Sequence, residues 1–233
     1  MAAVELDTLK RKAMAMYDIL IKSYGERPLK PPRRPPMVEL IMTILSQRTT
    51  AANEQLAFDQ MWARYGSWEA IRDADVTELA ALIAPSNYAE AKAPHIKATI
   101  ARIIEERGEP SIDFLEDISA DEGLVWLMSL PGVGIKTASL VLLFNFSKPV
   151  MPVDTHVHRV SQRTGLIPLK MTPEKAHIAL VEILPTEPHT LFNFHVSCLR
   201  HGQQICTFTA PKCPKCPLKH LCDYYQRVYT PKI

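Results

Sequence analysis

The sequence lacks the features that define several classes of protein. No apolar run approaches the roughly 20 residues that a membrane-spanning helix needs. The N-terminal segment interrupts its apolar positions with charges at helical spacing, unlike a secretory leader. Strand-like alternation and internal repeats are absent, and the net charge is only +2. These absences predict a cytosolic, helical protein. They do not indicate its function, which has to be inferred from local motifs.

Positive charge is concentrated in two places along the chain. The proline-rich connector ERPLKPPRRPP has no acid from Arg27 to Arg34, and Leu199–Ile233 contains a single acid, Asp223. Repeated proline removes backbone donors and fixes φ, so the connector is predicted to be extended. Both stretches could bind phosphate, although solvated surface charge has the same pattern. The basic residues of the connector are Arg27, Lys30, Arg33 and Arg34.

Apolar spacing predicts helices in several segments. Apolar residues recur at intervals of three and four, which places them on one helical face. The clearest of these helices spans residues 51–65 and ends at Gly66, which suits a helix C-terminus. The other segments run from Leu6 to Leu20, from Leu40 to Leu45, and from Ile96 to Ile104 with Gly108 behind it.

Capping residues locate further helix ends. Ser119 and Glu122 form the S-x-x-E capping box at the start of one helix. Asp154 is predicted to be the N-cap of THVHRVSQRT. The remaining predicted ends are at Ser67, Asp75, Gly165, Thr172 with Pro173, and the residue before Pro185.

Four of the five cysteines lie in one short loop. Cys206, Cys213, Cys216 and Cys222 have the spacing C-x6-C-x2-C-x5-C. Disulfides are rare in cytosolic chains, so this grouping predicts one metal site. Zinc usually uses two C-x2-C pairs and only one is present, so an iron–sulfur cluster is favoured and zinc is the alternative. We expect the metal to staple the loop and present Lys212, Lys215 and Lys219 to a polyanion. Cys198, outside the pattern, is predicted to be a buried thiol.

A glycine turn joins two predicted helices in SLPGVGIKTASLVLLFNF, Ser129 to Phe146. Gly132 and Gly134 permit backbone conformations that other residues avoid. Backbone N–H groups at the next helix start could bind a phosphate, although an ordinary helical corner has the same pattern. The following helix is apolar on nearly all sides, which predicts burial. Lys136 lies in its first turn, where the helix dipole disfavours positive charge, so the position suits a reactive free amine.

Three motifs, taken together, resemble the helix–hairpin–helix DNA glycosylase superfamily, in particular its endonuclease III-like members. They are LPGVGIKTA followed by VDTHVHRV, the four-cysteine loop preceded by HGQQIC, and ILSQRTT. The resemblance covers most of the chain and implies an all-α, two-domain fold. A six-helix domain would span residues 38–148, and residues 1–37 with 149–233 would form an iron–sulfur cluster domain. DNA would cross the cleft between them.

The resemblance also implies roles for individual residues. Lys136 corresponds to the nucleophilic lysine of the family and Asp154 to its catalytic aspartate. Gln47 corresponds to a DNA-contacting glutamine, and Tyr88 lies about where the family inserts a wedge into the DNA stack. The remaining implied site residues are the hairpin glycines Gly132 and Gly134 on DNA, and Cys206, Cys213, Cys216 and Cys222 on a [4Fe-4S] cluster.

The implied function is that of a bifunctional DNA glycosylase and abasic-site lyase of base excision repair, acting on oxidised pyrimidines. Its partner would be double-stranded DNA with damaged bases or abasic sites, bound by a monomer in the nucleoid. The alternatives are a glycosylase for mismatched or alkylated bases and a non-catalytic DNA-binding module. The chain departs from the family at Arg48, Thr50, Asn87 and Ile135, and these departures bear on the range of lesions.

Overall fold

The computed structural model describes residues 3–29 and 34–229, so Lys30, Arg33 and Lys232 lie outside the described residues. These residues form twelve α-helices and four short 3₁₀ helices, with no strand among them. Within the same ranges, no helix is both long enough and apolar enough to cross a membrane. The α-helices are α1 (Ala3–Tyr24), α2 (Pro36–Leu45), α3 (Ala51–Tyr65), α4 (Trp68–Asp73), α5 (Val76–Leu82), α6 (Ala89–Arg107), α7 (Ala120–Met128), α8 (Ile135–Phe146), α9 (Thr155–Thr164), α10 (Pro173–Ile183), α11 (Pro188–Gln204) and α12 (Asp223–Tyr229).

The chain forms two compact units. The central unit is Pro31–Phe146, and the terminal unit combines Met1–Lys30 with Ser147–Ile233. In its described part the central unit has seven α-helices, not the six expected from the resemblance. The chain is extended at Ala74, and the Asp75 side chain then caps a new helix, which separates α4 from α5. The functional division at residues 38 and 148 stays a prediction.

The core of the central unit forms around α8. Residues 137–143 of this helix are all buried, which confirms the predicted burial of its middle part. Helices α2 and α7 pack against α8, and α4 and α5 pack against α6. Leu40, Ile41 and Leu45 of α2 are fully buried, and each such side chain contributes about 1.5–3 kcal/mol to stability. This packing fixes the hairpin that leads into α8.

The terminal unit is built around α11. Helices α1 and α9 both pack on α11. The core of this unit is therefore formed by the N-terminal helix together with helices from the second half of the chain. Ala13, Met16 and Leu20 form the buried face of α1, as their spacing predicts. Cys198 of α11 is fully buried, and burial raises the pKa of its thiol well above the ordinary value. The prediction of a buried free thiol is therefore confirmed.

Local capping sets several helix ends. The reciprocal capping box of Ser119 and Glu122 is present, with the Glu122 carboxylate accepting from the Ser119 backbone N–H at 2.9 Å. The Thr172 side chain caps α10, which ends before Pro185 as predicted. The glycines that end α3, α6 and α9 are left-handed, which is the C-terminal geometry expected of them. The predicted ends are thus confirmed at these helices.

Candidate functional site

The hairpin of the central unit is shaped by Gly132. Its φ is +73°, and a Cβ atom there would lie 2.9 Å from the Cβ of His95. Both the left-handed backbone and this close approach require glycine. Gly134 differs, because its φ is not left-handed and the space beside it is open. Both glycines permit conformations closed to other residues, and only Gly132 adopts one.

Lys136 lies one residue into α8, directly after the hairpin. The Gly134 carbonyl accepts the first bond of the helix from Ala138 N–H at 3.0 Å, so Lys136 is in the first turn. The lysine is half-buried. The partial positive charge of the helix N-terminus disfavours its ammonium form.

An acid that the sequence did not suggest lies near this lysine. Burial raises the pKa of Glu54, a residue of α3, while the charges of Arg34 and Lys136 lower it. The Glu54 carboxylate also accepts from Arg34 Nη1 at 3.3 Å. Glu54 therefore opposes the helix dipole, since a nearby carboxylate stabilises the lysine ammonium.

Asp154 of the terminal unit caps α9, as predicted. Its Oδ1 accepts from His156 N–H at 2.8 Å and from Val157 N–H at 2.7 Å. Both bonds end on Oδ1, so Oδ2 takes no part in the cap. The carboxylate is half-buried. The cap thus fixes the orientation of the side chain while one oxygen remains outside the capping geometry.

Two buried histidines hold the segment before Asp154. His177 Nδ1 donates to the Met151 carbonyl at 2.8 Å, and His195 Nδ1 donates to the Pro152 carbonyl at 2.9 Å. Burial lowers the pKa of His177 to about 4, so this imidazole is neutral near pH 7. Sequence reasoning missed both histidines, because nothing in their spacing relates them to a segment 26 and 43 residues away.

The structure brings Gln47 to the hairpin. Gln47 lies just after α2 and is exposed, and its Nε2 donates to the Gly132 carbonyl at 3.2 Å. Two of the predicted DNA-contacting residues therefore meet within the central unit. Tyr88 precedes α6, and its side chain is 59% exposed, as a wedge entering DNA would need to be.

A buried lysine joins the turns that carry Gln47 and Tyr88. Lys92 of α6 is only 4% exposed. Its ammonium donates to the carbonyls of Leu45, Gln47 and Ser86 at 2.7, 2.8 and 2.6 Å. Burial lowers the pKa of Lys92 to about 8, while the three carbonyl acceptors favour the charged form. No spacing in the sequence points to this lysine.

Replacing Lys92 with methionine is expected to lower stability and weaken binding to abasic-site DNA. Methionine keeps the apolar stem but removes the donor from three carbonyls, and each of the two buried ones, those of Leu45 and Ser86, then costs about 1–3 kcal/mol. The matched control is Lys97→Met, because Lys97 also donates to backbone carbonyls, those of Arg72 and Ala74. Urea unfolding should show a loss in both variants, and fluorescence anisotropy should show weaker DNA binding only for Lys92→Met. Equal DNA affinity in the two variants would contradict this prediction.

The four loop cysteines line one cavity in the terminal unit. Cys206, Cys213, Cys216 and Cys222 surround it together with Arg163 and His201. Burial raises the pKa of Cys216 to about 11, and the other three thiols add to this rise. Thiols that disfavour one another's ionisation become thiolates together only when a cation compensates their charge. The donor set therefore fits a metal centre.

Within residues 3–29 and 34–229, no group of three or more His, Cys, Asp or Glu side chains is arranged to hold a metal ion. A single zinc ion needs four ligands around one centre, whereas each thiolate of a four-iron cluster binds a different iron.

Two arginines of α9, missed by the sequence reasoning, organise the cysteine loop. Arg159 donates to the Cys206 carbonyl through Nε at 2.9 Å. Arg163 donates to the Thr207 carbonyl at 2.7 Å and to Cys206 Sγ at 3.4 Å. Their four-residue spacing places both on one helical face, which is the only signal of this role in the sequence.

The loop lysines lie among the cysteines. Lys212 and Lys215 are exposed, and Lys219 is half-buried at the edge of the cavity. The backbone N–H of Lys215 donates to the Lys212 carbonyl at 3.0 Å, and that of Lys219 to the Cys216 carbonyl at 3.3 Å. The loop therefore holds the three lysine backbones in place while the two exposed side chains face solvent.

Comparison with known proteins adds three findings. Residues 41–186 match the family described as HhH-GPD superfamily base excision DNA repair protein. Endonuclease III of Thermotoga maritima is 36% identical over 82% of this chain and 84% of its own, and that of Rickettsia conorii is 36% identical over 80% and 83%. The chain is also similar to a solved structure of endonuclease III, trapped as a covalent intermediate on DNA with an estranged adenine. The two superpose with a TM-score of 0.79 at 27% identity, and the match covers 94% of this chain and 97% of the other.

Proposed function

Because the chain belongs to the HhH-GPD superfamily of base excision DNA repair proteins, and is a DNA glycosylase like its endonuclease III relatives, we propose that it removes oxidised pyrimidines from double-stranded DNA and cleaves the strand at the abasic site. The observation that carries the lyase step is Lys136, a half-buried amine in the first turn of α8 within the matched segment.

The proposed chemistry starts when the damaged base is flipped out of the DNA stack, which costs a few kcal/mol and is easier for damaged pairs. The Lys136 amine attacks C1′ of the sugar, and the bond to the base breaks with its electron pair leaving on the base. Asp154 stabilises the positive charge that develops on the sugar. The nitrogen then loses a proton, the C1′–O4′ bond of the sugar ring breaks as the C=N bond forms, and O4′ takes up a proton, which gives a protonated Schiff base.

Strand cleavage follows from the same intermediate. Removal of a proton from C2′ places electrons in conjugation with the iminium, and the C3′–O bond breaks to release the phosphate in a β-elimination. Water then hydrolyses the iminium and regenerates the lysine amine. No step needs an oxidant, and the covalent intermediate is carried by Lys136 throughout.

An oligonucleotide panel tests the proposed specificity. Duplexes that each contain one modified base should be cut when the base is an oxidised pyrimidine, and duplexes with an alkylated purine or a mispaired adenine should remain intact. A duplex with a preformed abasic site should be nicked without any base to excise. Excision of alkylated or mispaired bases in preference to oxidised pyrimidines would contradict the proposed specificity. Binding without excision or nicking would indicate a non-catalytic DNA-binding module.

We also propose that Cys206, Cys213, Cys216 and Cys222 hold a [4Fe-4S] cluster. The shared cavity and the number of thiols support this assignment, as does the donation from Arg163 to Cys206 Sγ. When bound, the cluster would cross-link a loop that has little core of its own. The loop, held in this way, would present Lys212, Lys215 and Lys219 to DNA phosphates.

The purified protein is expected to be yellow-brown and to contain about four irons per chain. Cys206→Ser should lower the iron content and the solubility, because one thiolate ligand is lost. Cys198→Ala is the matched control, since Cys198 is a buried cysteine of the same unit outside the loop. Metal analysis and visible absorbance measure the outcome. One tightly bound zinc in place of iron would refute the cluster.

The loop lysines are expected to set the salt dependence of DNA binding. Each phosphate contact contributes roughly 0.9 to the slope of log affinity against log salt. Lys212, Lys215 and Lys219 changed together to alanine should therefore flatten the slope by about 2.7. The control removes the same charge at three exposed lysines of the terminal unit, Lys10, Lys22 and Lys175. Equal slopes in the two triple variants would show that the loop lysines make no phosphate contact.

A further inference from the structure

Asp154 follows a buried segment that has no regular secondary structure. Residues 151–153 are buried and lie outside any helix, so their backbone polar groups need partners from elsewhere in the fold. Side chains supply two of these partners. His177 Nδ1 donates to the Met151 carbonyl at 2.8 Å, and His195 Nδ1 donates to the Pro152 carbonyl at 2.9 Å. Both rings are at most 4% exposed, so two buried imidazoles hold the chain that leads to Asp154.

The helix that carries His195 lies along the chain on both sides of Asp154. His195, Cys198 and Gly202 are three and four residues apart on α11, which places them on one helical face. Helix α9, which Asp154 caps, packs against α11. A Cβ atom added at Gly202 would lie 2.7 Å from the Cβ of His156, so the two helices are in close contact there. Helix α11 therefore meets the chain two residues before Asp154 and two residues after it.

The Asp154 carboxylate lies near the middle of this face of α11. Cys198, between His195 and Gly202 on the face, is fully buried, and burial raises the pKa of its thiol well above the ordinary value. The negative charge of Asp154 adds to this rise. The carboxylate is therefore within electrostatic range of the thiol.

The role proposed for Asp154 makes its position critical. A charged group stabilises a developing charge best when the fold has oriented it before the reaction. The bonds from His156 and Val157 N–H fix the carboxylate relative to α9. They do not fix the chain that enters the cap, because that chain precedes the helix. A displacement of about 1 Å at a reacting centre can lower a rate by about a hundredfold.

We propose that His195, together with His177, is a positioning residue for base excision, and that its hydrogen bond to the Pro152 carbonyl sets where the Asp154 carboxylate stands as the base leaves. The histidine acts through the backbone and exchanges no proton during the reaction. This inference rests on the proposed function, because it concerns the part that Asp154 plays in excision.

The first experiment removes the donor and then restores it. His195→Leu keeps an apolar side chain but has no N–H, so its single-turnover excision rate should fall by roughly ten- to a hundredfold. Its affinity for a duplex with an uncleavable tetrahydrofuran abasic analogue should stay close to wild type. His195→Asn should retain most of the rate, because its side-chain amide is again a donor. Leu20→Ala is the control, since it opens a cavity in the core of the same unit and should excise at the wild-type rate.

A double-mutant cycle links the effect to Asp154. In the Asp154→Asn background, His195→Leu should lower the residual excision rate little further, because the charge that it positions is already gone. A histidine that served only stability would lower the rate by the same factor in both backgrounds. His177→Leu enters the same cycle with a smaller expected loss, so the test holds even if His195→Leu does not fold.

Three results would overturn the inference while the wild-type protein remains active. They are equal losses in both backgrounds, a rate for His195→Leu no lower than that of Leu20→Ala, and a rate for His195→Asn as low as that of His195→Leu. A wild-type protein that neither excises bases nor nicks abasic sites would instead refute the proposed function, and this inference with it.

Discussion

Replacing Lys136 with glutamine is expected to abolish both strand nicking and covalent capture of DNA. Borohydride reduces the Schiff base between a lysine and an abasic sugar to a stable amine, so the wild-type protein should form a trapped adduct with an abasic duplex. Glutamine keeps much of the length and polarity of lysine but has no nucleophilic amine. The variant should still bind the duplex. Gel electrophoresis of the reduced mixture measures the adduct, and anisotropy measures the binding.

Lys170→Gln is the control for this experiment, because Lys170 is an exposed lysine outside the proposed site. It should be trapped as efficiently as the wild-type protein. An adduct formed by Lys136→Gln would show that another amine is the nucleophile, and the hairpin would then be only a phosphate-binding corner.

The stability of Lys136→Gln reports on two opposing effects. Removing a positive charge from the N-terminus of α8 stabilises the helix by roughly 0.3–1 kcal/mol. The same change deprives Glu54 of a charge that lowers its pKa, so the pKa of Glu54 rises further. The two effects oppose each other, and the net change in unfolding free energy should stay within about 1 kcal/mol. A much larger loss would show that Lys136 is chiefly structural.

Replacing Asp154 with asparagine is expected to leave folding nearly intact and to reduce base excision by about a hundredfold or more, as the loss of a transition-state charge stabiliser does. Asparagine is as good an N-cap as aspartate, so its Oδ1 can accept the bonds from His156 and Val157 N–H. It cannot carry the negative charge proposed to stabilise the sugar. Single-turnover excision and thermal unfolding measure the two properties separately.

Asp75→Asn is a close control for this substitution. The Oδ1 of Asp75 caps α5 in the same way, accepting from Thr77 and Glu78 N–H at 2.9 Å each. If capping were the whole role of Asp154, both asparagine variants would excise bases at the wild-type rate. Full activity of Asp154→Asn would therefore refute its catalytic assignment.

Short-range spacing in the sequence is enough to locate the beginnings and ends of many helices. The bounds of α3, the capping box at Ser119, the Asp154 cap and the glycine after α9 are all confirmed. The physical reason is that each depends on hydrogen bonds between residues two to five apart, which spacing encodes directly. The buried face of α1 follows from the same kind of local periodicity.

Local reasoning was incomplete where a residue type did not reveal its surroundings. Gly132 and Gly134 look alike in the sequence, but only Gly132 has a left-handed backbone and meets His95. The sequence likewise grouped four cysteines, whereas only the folded chain shows that they line one cavity with Arg163. Glycine and cysteine each serve several purposes, and the neighbours that decide among them come from other helices.

The groups that support the candidate site are brought together by the packing of helices that are distant in sequence. Lys92 binds carbonyls 45 and 47 residues away, Gln47 meets a hairpin 85 residues away, and His195 holds a carbonyl 43 residues away. Buried polar groups must find partners wherever packing brings them. Those partners depend on how the helices pack, and no spacing along the chain records that packing.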